Sequence, residues 1–184
     1  MTYEEAISMK ILLISGFYEP YISWLDQKII SEDPLSRITV DLLDCGEDIN
    51  KIISCLYQYC FEHSFDQNIV SENLRLFIKD QFESGKMSKA ACVDTLDRFA
   101  RNSECEHESV HWANMVMLSY YHDYAEEDLV SMEAFDTVFM QYLQDGTLPV
   151  PFSGNPHLIK KSEHETAIRK PTKQNFFRRF FSKK

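Results

Sequence analysis

The sequence is poor in the residues that interrupt regular secondary structure. Only five of its 184 residues are glycine and six are proline, whereas 44% are hydrophobic. This composition excludes a mostly disordered or low-complexity chain and predicts one globular domain with a sizeable core. The scarcity of glycine also argues against a loop-rich enzyme built around a glycine-lined phosphate cradle.

Long apolar runs and paired cysteine motifs are missing too. No segment reaches the roughly 18 consecutive apolar residues of a membrane-spanning helix. The N-terminal segment carries Glu4 and Glu5 where a secretory signal would carry lysine or arginine. The five cysteines are odd in number and form no Cys-x-x-Cys motif, which is typical of reduced thiols inside a core. We therefore expect a cytoplasmic protein.

Apolar side chains recur at helical spacing along most of the chain. Ile49, Ile52, Ile53 and Leu56, for example, follow the i, i+3, i+4, i+7 pattern of a helix with one buried face. The pattern predicts an all-α fold, a bundle of about eight mostly antiparallel helices joined by short connections. The predicted helices span about 3–15, 20–31, 34–44, 47–62, 66–84, 88–102, 104–123 and 131–145.

Capping signals mark the ends of these helices. Thr2-x-x-Glu5 fits a capping box, and Pro34 after Asp33 predicts that the third helix begins there. Four glycines follow apolar periodic segments, where a left-handed C-cap is expected: Gly16, Gly46, Gly85 and Gly146.

Two segments leave a strand alternative open, because short apolar or alternating runs are ambiguous. These are Lys10–Gly16 and Arg37–Leu43. On a helical wheel the polar residues Glu4, Glu5, Ser8 and Ser15 lie on one side, largely opposite the apolar residues, which favours the helix.

Charge divides the chain into unequal parts. Residues 1–156 contain 27 acidic and ten basic side chains, a net charge of −17, whereas residues 157–184 contain two acidic and nine basic ones, a net charge of +7. We predict an acidic helical domain over 1–146, a proline-containing linker over 147–171 and a basic aromatic tail over 172–184. An acidic body is unsuited to binding nucleic acid and suited to a cationic partner.

The tail has the pattern of a short amphipathic helix. One helical face would hold Phe176, Phe177, Phe180 and Phe181, and the other Arg178 and Arg179. Aromatic rings beside arginines favour weak, reversible binding to an anionic membrane surface, which would place the protein at the periphery of the inner membrane. Docking onto the acidic body and a solvated end are the alternatives.

One segment, His107-Glu108-Ser109-Val110-His111, matches the H-E-x-x-H pattern and over these five residues resembles a zincin metalloprotease. Candidates for a third ligand are Glu126, Glu127 and His122. Glu104 and Glu106 flank the first histidine, where that family has uncharged residues, so we interpret the segment as an exposed acidic helix start. We predict no catalytic residue, cofactor or metal, and keep a zinc-dependent hydrolase using His107, Glu108 and His111 as an alternative.

The residues after this segment are candidates for binding a partner. Three carboxylates with no evident structural role would attract it, namely Glu126, Glu127 and Asp128. Three aromatic side chains would anchor it, namely Trp112, Tyr121 and Tyr124. Core packing is the competing interpretation of the aromatic residues.

About a third of the chain resembles helical immunity proteins of bacterial polymorphic toxin and contact-dependent growth inhibition systems. The segments concerned are GKMSKAACVDTLDRFA (Gly85–Ala100) and ESVHWA (Glu108–Ala113), and LLDCGEDINKII (Leu42–Ile53) is similar to part of the colicin D immunity protein. The resemblance implies a small acidic cytoplasmic protein without catalytic residues. Such a protein binds and blocks the active domain of a cognate toxin, frequently a basic nuclease. A peripheral membrane adaptor anchored by the tail is the alternative.

Overall fold

The structure, a computed structural model, describes residues 1–102 and 110–149. These residues form eight α-helices and no β-strand, so the prediction of an all-α multi-helix bundle is confirmed. The strand alternative is wrong, because the two ambiguous segments lie mainly in the first and third helices. The helices are α1 (Tyr3–Ile14), α2 (Glu19–Ser31), α3 (Arg37–Asp44), α4 (Ile49–Cys60), α5 (Gln67–Glu83), α6 (Lys89–Asn102), α7 (Val110–Glu126) and α8 (Met132–Asp145).

Helix α1 lies at the centre of the bundle. The eight consecutive residues Ala6–Leu13 are all buried, so every side of this helix is covered. It packs mainly against α4 and α5 and also contacts α2 and α6. Even Lys10 is buried, and its ammonium nitrogen lies 4.8 Å from the centroid of the Tyr57 ring. In contrast, α2 buries only Tyr21 and lies at the edge of the bundle.

Most capping predictions are confirmed. The Thr2 hydroxyl accepts a hydrogen bond from the Glu5 amide at 3.1 Å, and the Glu5 carboxylate accepts one from the Thr2 amide at 2.9 Å. The four predicted C-cap glycines all have φ between 58° and 90°. Gly146 closes α8 against α5, where an added Cβ would lie only 3.3 Å from Cδ of Arg75.

The predicted start of the third helix at Pro34 is wrong. Helix α3 begins at Arg37, and the Glu32 carboxylate organises the turn that precedes it. One carboxylate oxygen of Glu32 accepts hydrogen bonds from the Ser36 amide and the Thr39 hydroxyl, both at 2.9 Å. These bonds lower the pKa of Glu32 to about 2. They hold Pro34 in the turn instead of the helix.

The second half of the bundle is built on α7. It packs against α6, α8 and α5, and α8 packs in turn on α5. The buried Arg75 guanidinium of α5 donates to the Leu143 carbonyl near the end of α8 and pairs with Glu72. This arginine thereby ties α8 to α5 and satisfies a carbonyl that the helix end leaves open.

Two further sequence features can be compared with the described residues. Cys45, Cys55, Cys60 and Cys92 are free thiols. None of the described helices combines the length and the apolar content that crossing a bilayer requires.

Candidate interaction surface at the end of helix α7

Two of the three aromatic anchors predicted on α7 are buried in the core. Trp112 is 2% exposed and Tyr121 is fully buried, so both are core residues and their prediction as partner-binding anchors is wrong. Because α7 contacts three other helices, most of its circumference is covered and needs large side chains. Tyr124 is half-buried, with its ring centroid 6.5 Å from that of Tyr121.

The backbone after α7 forms a Schellman motif. The Asp128 amide donates to the Ala125 carbonyl at 3.3 Å, and the Leu129 amide donates to the Tyr124 carbonyl at 2.9 Å. Asp128 itself is left-handed, with φ of 58°. Buried Val130 follows and returns the chain to the core. The motif thus holds a fixed turn at the surface between α7 and α8.

This turn presents the three predicted carboxylates together. Glu126 is the last residue of α7, Glu127 and Asp128 follow it, and all three are exposed. We call these three residues the acidic turn. The described residues thus bring the predicted carboxylate set to one place.

The position of the acidic turn is electrostatically unfavourable. The C-terminal end of a helix carries partial negative charge, so each carboxylate there costs roughly 0.3–1 kcal/mol instead of stabilising the helix. The sequence supplies no lysine or arginine between Arg101 and Lys160. A cation bound at these carboxylates would relieve the repulsion.

Two exposed apolar side chains flank the acidic turn and were missed by sequence reasoning. Leu129 is 38% exposed and Met132 is 43% exposed. With half-buried Tyr124 they offer apolar contact area beside the carboxylates, which is the composition of a protein-binding patch. The sequence contained one indication of this patch: Leu129 is an apolar residue in the connection between two helices and does not belong to the apolar stripe of either.

The side of α7 next to the acidic turn holds a cluster of potential metal ligands. Nε2 of His122 lies 3.9 Å from a carboxylate oxygen of Glu126. One ligand atom each from His122, Asp123 and Glu126 lies within 4.8 Å of the others. The mostly buried His122 ring contacts Phe135 edge-on, with 5.2 Å between the ring centroids, so packing against α8 orients the imidazole.

The other predicted site residues are only partly described. His111 is half-buried in α7, near enough to Glu72 to help lower the pKa of that carboxyl, after the larger effect of its hydrogen bond to Arg75. His107 and Glu108 lie outside the described residues, as do the tail residues Phe176–Phe181.

Replacing Asp128 by glycine is expected to raise the free energy of unfolding by about 0.5–1.5 kcal/mol. Glycine adopts the left-handed conformation without the Cβ penalty, and the substitution removes a charge from the helix end. Urea unfolding monitored by circular dichroism measures the change. Asp128→Asn is the control that removes the charge and keeps a side chain, so its gain should be smaller. A less stable glycine variant would contradict the strain and charge assigned to this position.

The comparisons with known proteins give no match. No protein-family model fits the chain, and no curated protein or solved structure is significantly similar to it.

Proposed function

We propose that the protein acts by binding a basic partner protein through the acidic turn and its apolar neighbours, without catalysing a reaction. The observation that carries this proposal is the exposed group Glu126, Glu127 and Asp128 at a helix end where carboxylates are unfavourable. Their position is explained if a cationic surface meets them.

The arrangement suits rapid and selective association. The net charge of −17 over residues 1–156 attracts a basic partner over a distance, and the acidic turn concentrates that field at one site. Leu129, Met132 and Tyr124 then supply the apolar centre of the contact. Because the Schellman motif holds the turn in one conformation, little conformational entropy is lost on binding.

We propose further that the partner is a cognate toxin domain and that binding occludes its active site. This identification is supported by the resemblance of Gly85–Ala100 and Glu108–Ala113 to helical immunity proteins. The acidic body is consistent with it, because a nuclease that acts on nucleic acid needs a basic surface. A protein that covers such a surface needs carboxylates and no catalytic group of its own.

The proposal predicts that a toxin is encoded next to this protein, and co-expression of the two tests it. We expect the native chain to protect cells and the double variant Glu126→Lys, Glu127→Lys to protect poorly. With the purified proteins at low salt, the association rate constant should fall at least tenfold, because two steering charges are reversed.

The matched control is Asp44→Lys with Glu47→Lys. Asp44 is also the last residue of a helix, Glu47 also lies in the following turn, both are exposed, and the change in net charge is the same. This variant should protect as the native chain does. If the toxin kills regardless of the native chain, the toxin assignment is lost; if the Glu126/Glu127 variant protects fully, the surface is misassigned.

A further inference from the structure

We infer that His122, Asp123 and Glu126 form a binding site for a transition-metal dication, with Zn²⁺ the best fit. The donor set is one imidazole nitrogen and two carboxylate groups, which Zn²⁺ accepts and which differs from the all-oxygen sets that Mg²⁺ and Ca²⁺ prefer. The inference goes beyond the proposed function, because it concerns a ligand that binds without any protein partner.

The distances are close to those of a formed site. Two donors each about 2.1 Å from a tetrahedral ion lie about 3.4 Å apart. The His122 nitrogen and the Glu126 oxygen are already 3.9 Å apart, and no pair among the three ligand atoms exceeds 4.8 Å. A small rotation of the Glu126 side chain, which is 61% exposed, would shorten its distance to the His122 nitrogen.

The surroundings favour a cation on two independent grounds. Asp123 and Glu126 lie in the last turn of α7 and His122 directly precedes it, so the ligands are close to the helix end where the dipole places negative potential. The edge-on contact with Phe135 orients the His122 imidazole. A metal ion would therefore meet this ligand already positioned. Three protein ligands leave a fourth position for water or for a group from a partner.

The test is titration of Zn²⁺ alone into the full chain freed of metal by a chelator, followed by calorimetry. We expect one ion per chain. Glu126→Gln and His122→Gln should each raise the dissociation constant for Zn²⁺ at least tenfold, since each removes a ligand. Circular dichroism checks that the His122 variant is folded. Because Glu126 is exposed, we expect Glu126→Gln to fold as the native chain does.

The matched control is Glu83→Gln. Glu83 is also the last residue of its helix, its side chain is 60% exposed against 61% for Glu126, and it too lies 3.9 Å from a basic group four residues earlier, Lys79. Zinc binding should be unchanged in this variant. The inference is overturned if the native chain binds no zinc or if Glu126→Gln binds as the native chain does. It is equally overturned if binding is lost in His107→Gln and kept in Glu126→Gln, which would place the ion in the H-E-x-x-H segment.

Discussion

Replacing Trp112 by alanine is expected to lower the free energy of unfolding by about 3–5 kcal/mol, the usual range for truncating a large aromatic residue in a core. The side chain is 2% exposed in the helix that contacts α5, α6 and α8, so its removal leaves a cavity that several elements would have to shift to fill. Denaturant unfolding measures the loss, with the one remaining tryptophan, Trp24, as the fluorescent probe.

The control is Trp24→Ala, which changes the only other tryptophan. Trp24 is partly buried on α2 and lies beneath the Lys28 ammonium group, 5.7 Å from the ring centroid. We expect a smaller loss of about 1–2 kcal/mol there. If Trp112→Ala kept the native stability and lost only partner binding, Trp112 would be the interface anchor that the sequence suggested, and its burial in the core would be contradicted.

Replacing Arg75 by methionine is expected to lower the free energy of unfolding by about 2–4 kcal/mol. Methionine keeps an apolar stem of similar length but removes the donors to the Leu143 carbonyl and to Glu72. A buried carbonyl left without its donor accounts for about 1–3 kcal/mol of this loss, and the ion pair adds the rest. Thermal and denaturant unfolding both report the change.

Arg101→Met provides the comparison, because Arg101 also makes two bonds to one carboxylate, that of Asp97, four residues earlier in α6. This pair lies at the surface, where such an interaction contributes about 0–1 kcal/mol. Equal losses in the two variants would show that the contact of Arg75 with α8 contributes nothing beyond a surface ion pair.

Apolar spacing and glycine position were sufficient to predict the eight helices among the described residues. Two predicted helix boundaries differ from the structure, each for a physical reason. The end of α7 was expected near residue 123 and lies at Glu126, because Asp128 takes the left-handed position that glycine usually marks. The start of α3 was misplaced at Pro34 because a carboxylate outside the helix, that of Glu32, makes the capping bonds.

The candidate site was predictable in its charge and not in its apolar part. Three consecutive acidic residues in the connection between two predicted helices can be recognised from the sequence. The side of α7 that other helices cover cannot be recognised in this way, because burial of Trp112 and Tyr121 depends on packing against the separate helices α5, α6 and α8. The convergence of Asp123 with His122 and Glu126 likewise depends on side-chain rotamers that spacing alone does not specify.

The central position of α1 has a consequence for the order of events during synthesis. Among the described helices, α1 is translated first, yet the helices that enclose most of it, α4, α5 and α6, extend to Asn102. Until α6 has left the ribosome, the apolar sides of Ala6–Leu13 have no complete partner surface. The nascent chain therefore exposes apolar sides of α1 until these helices have been made, which favours chaperone binding and delays formation of the native core until α6 is available.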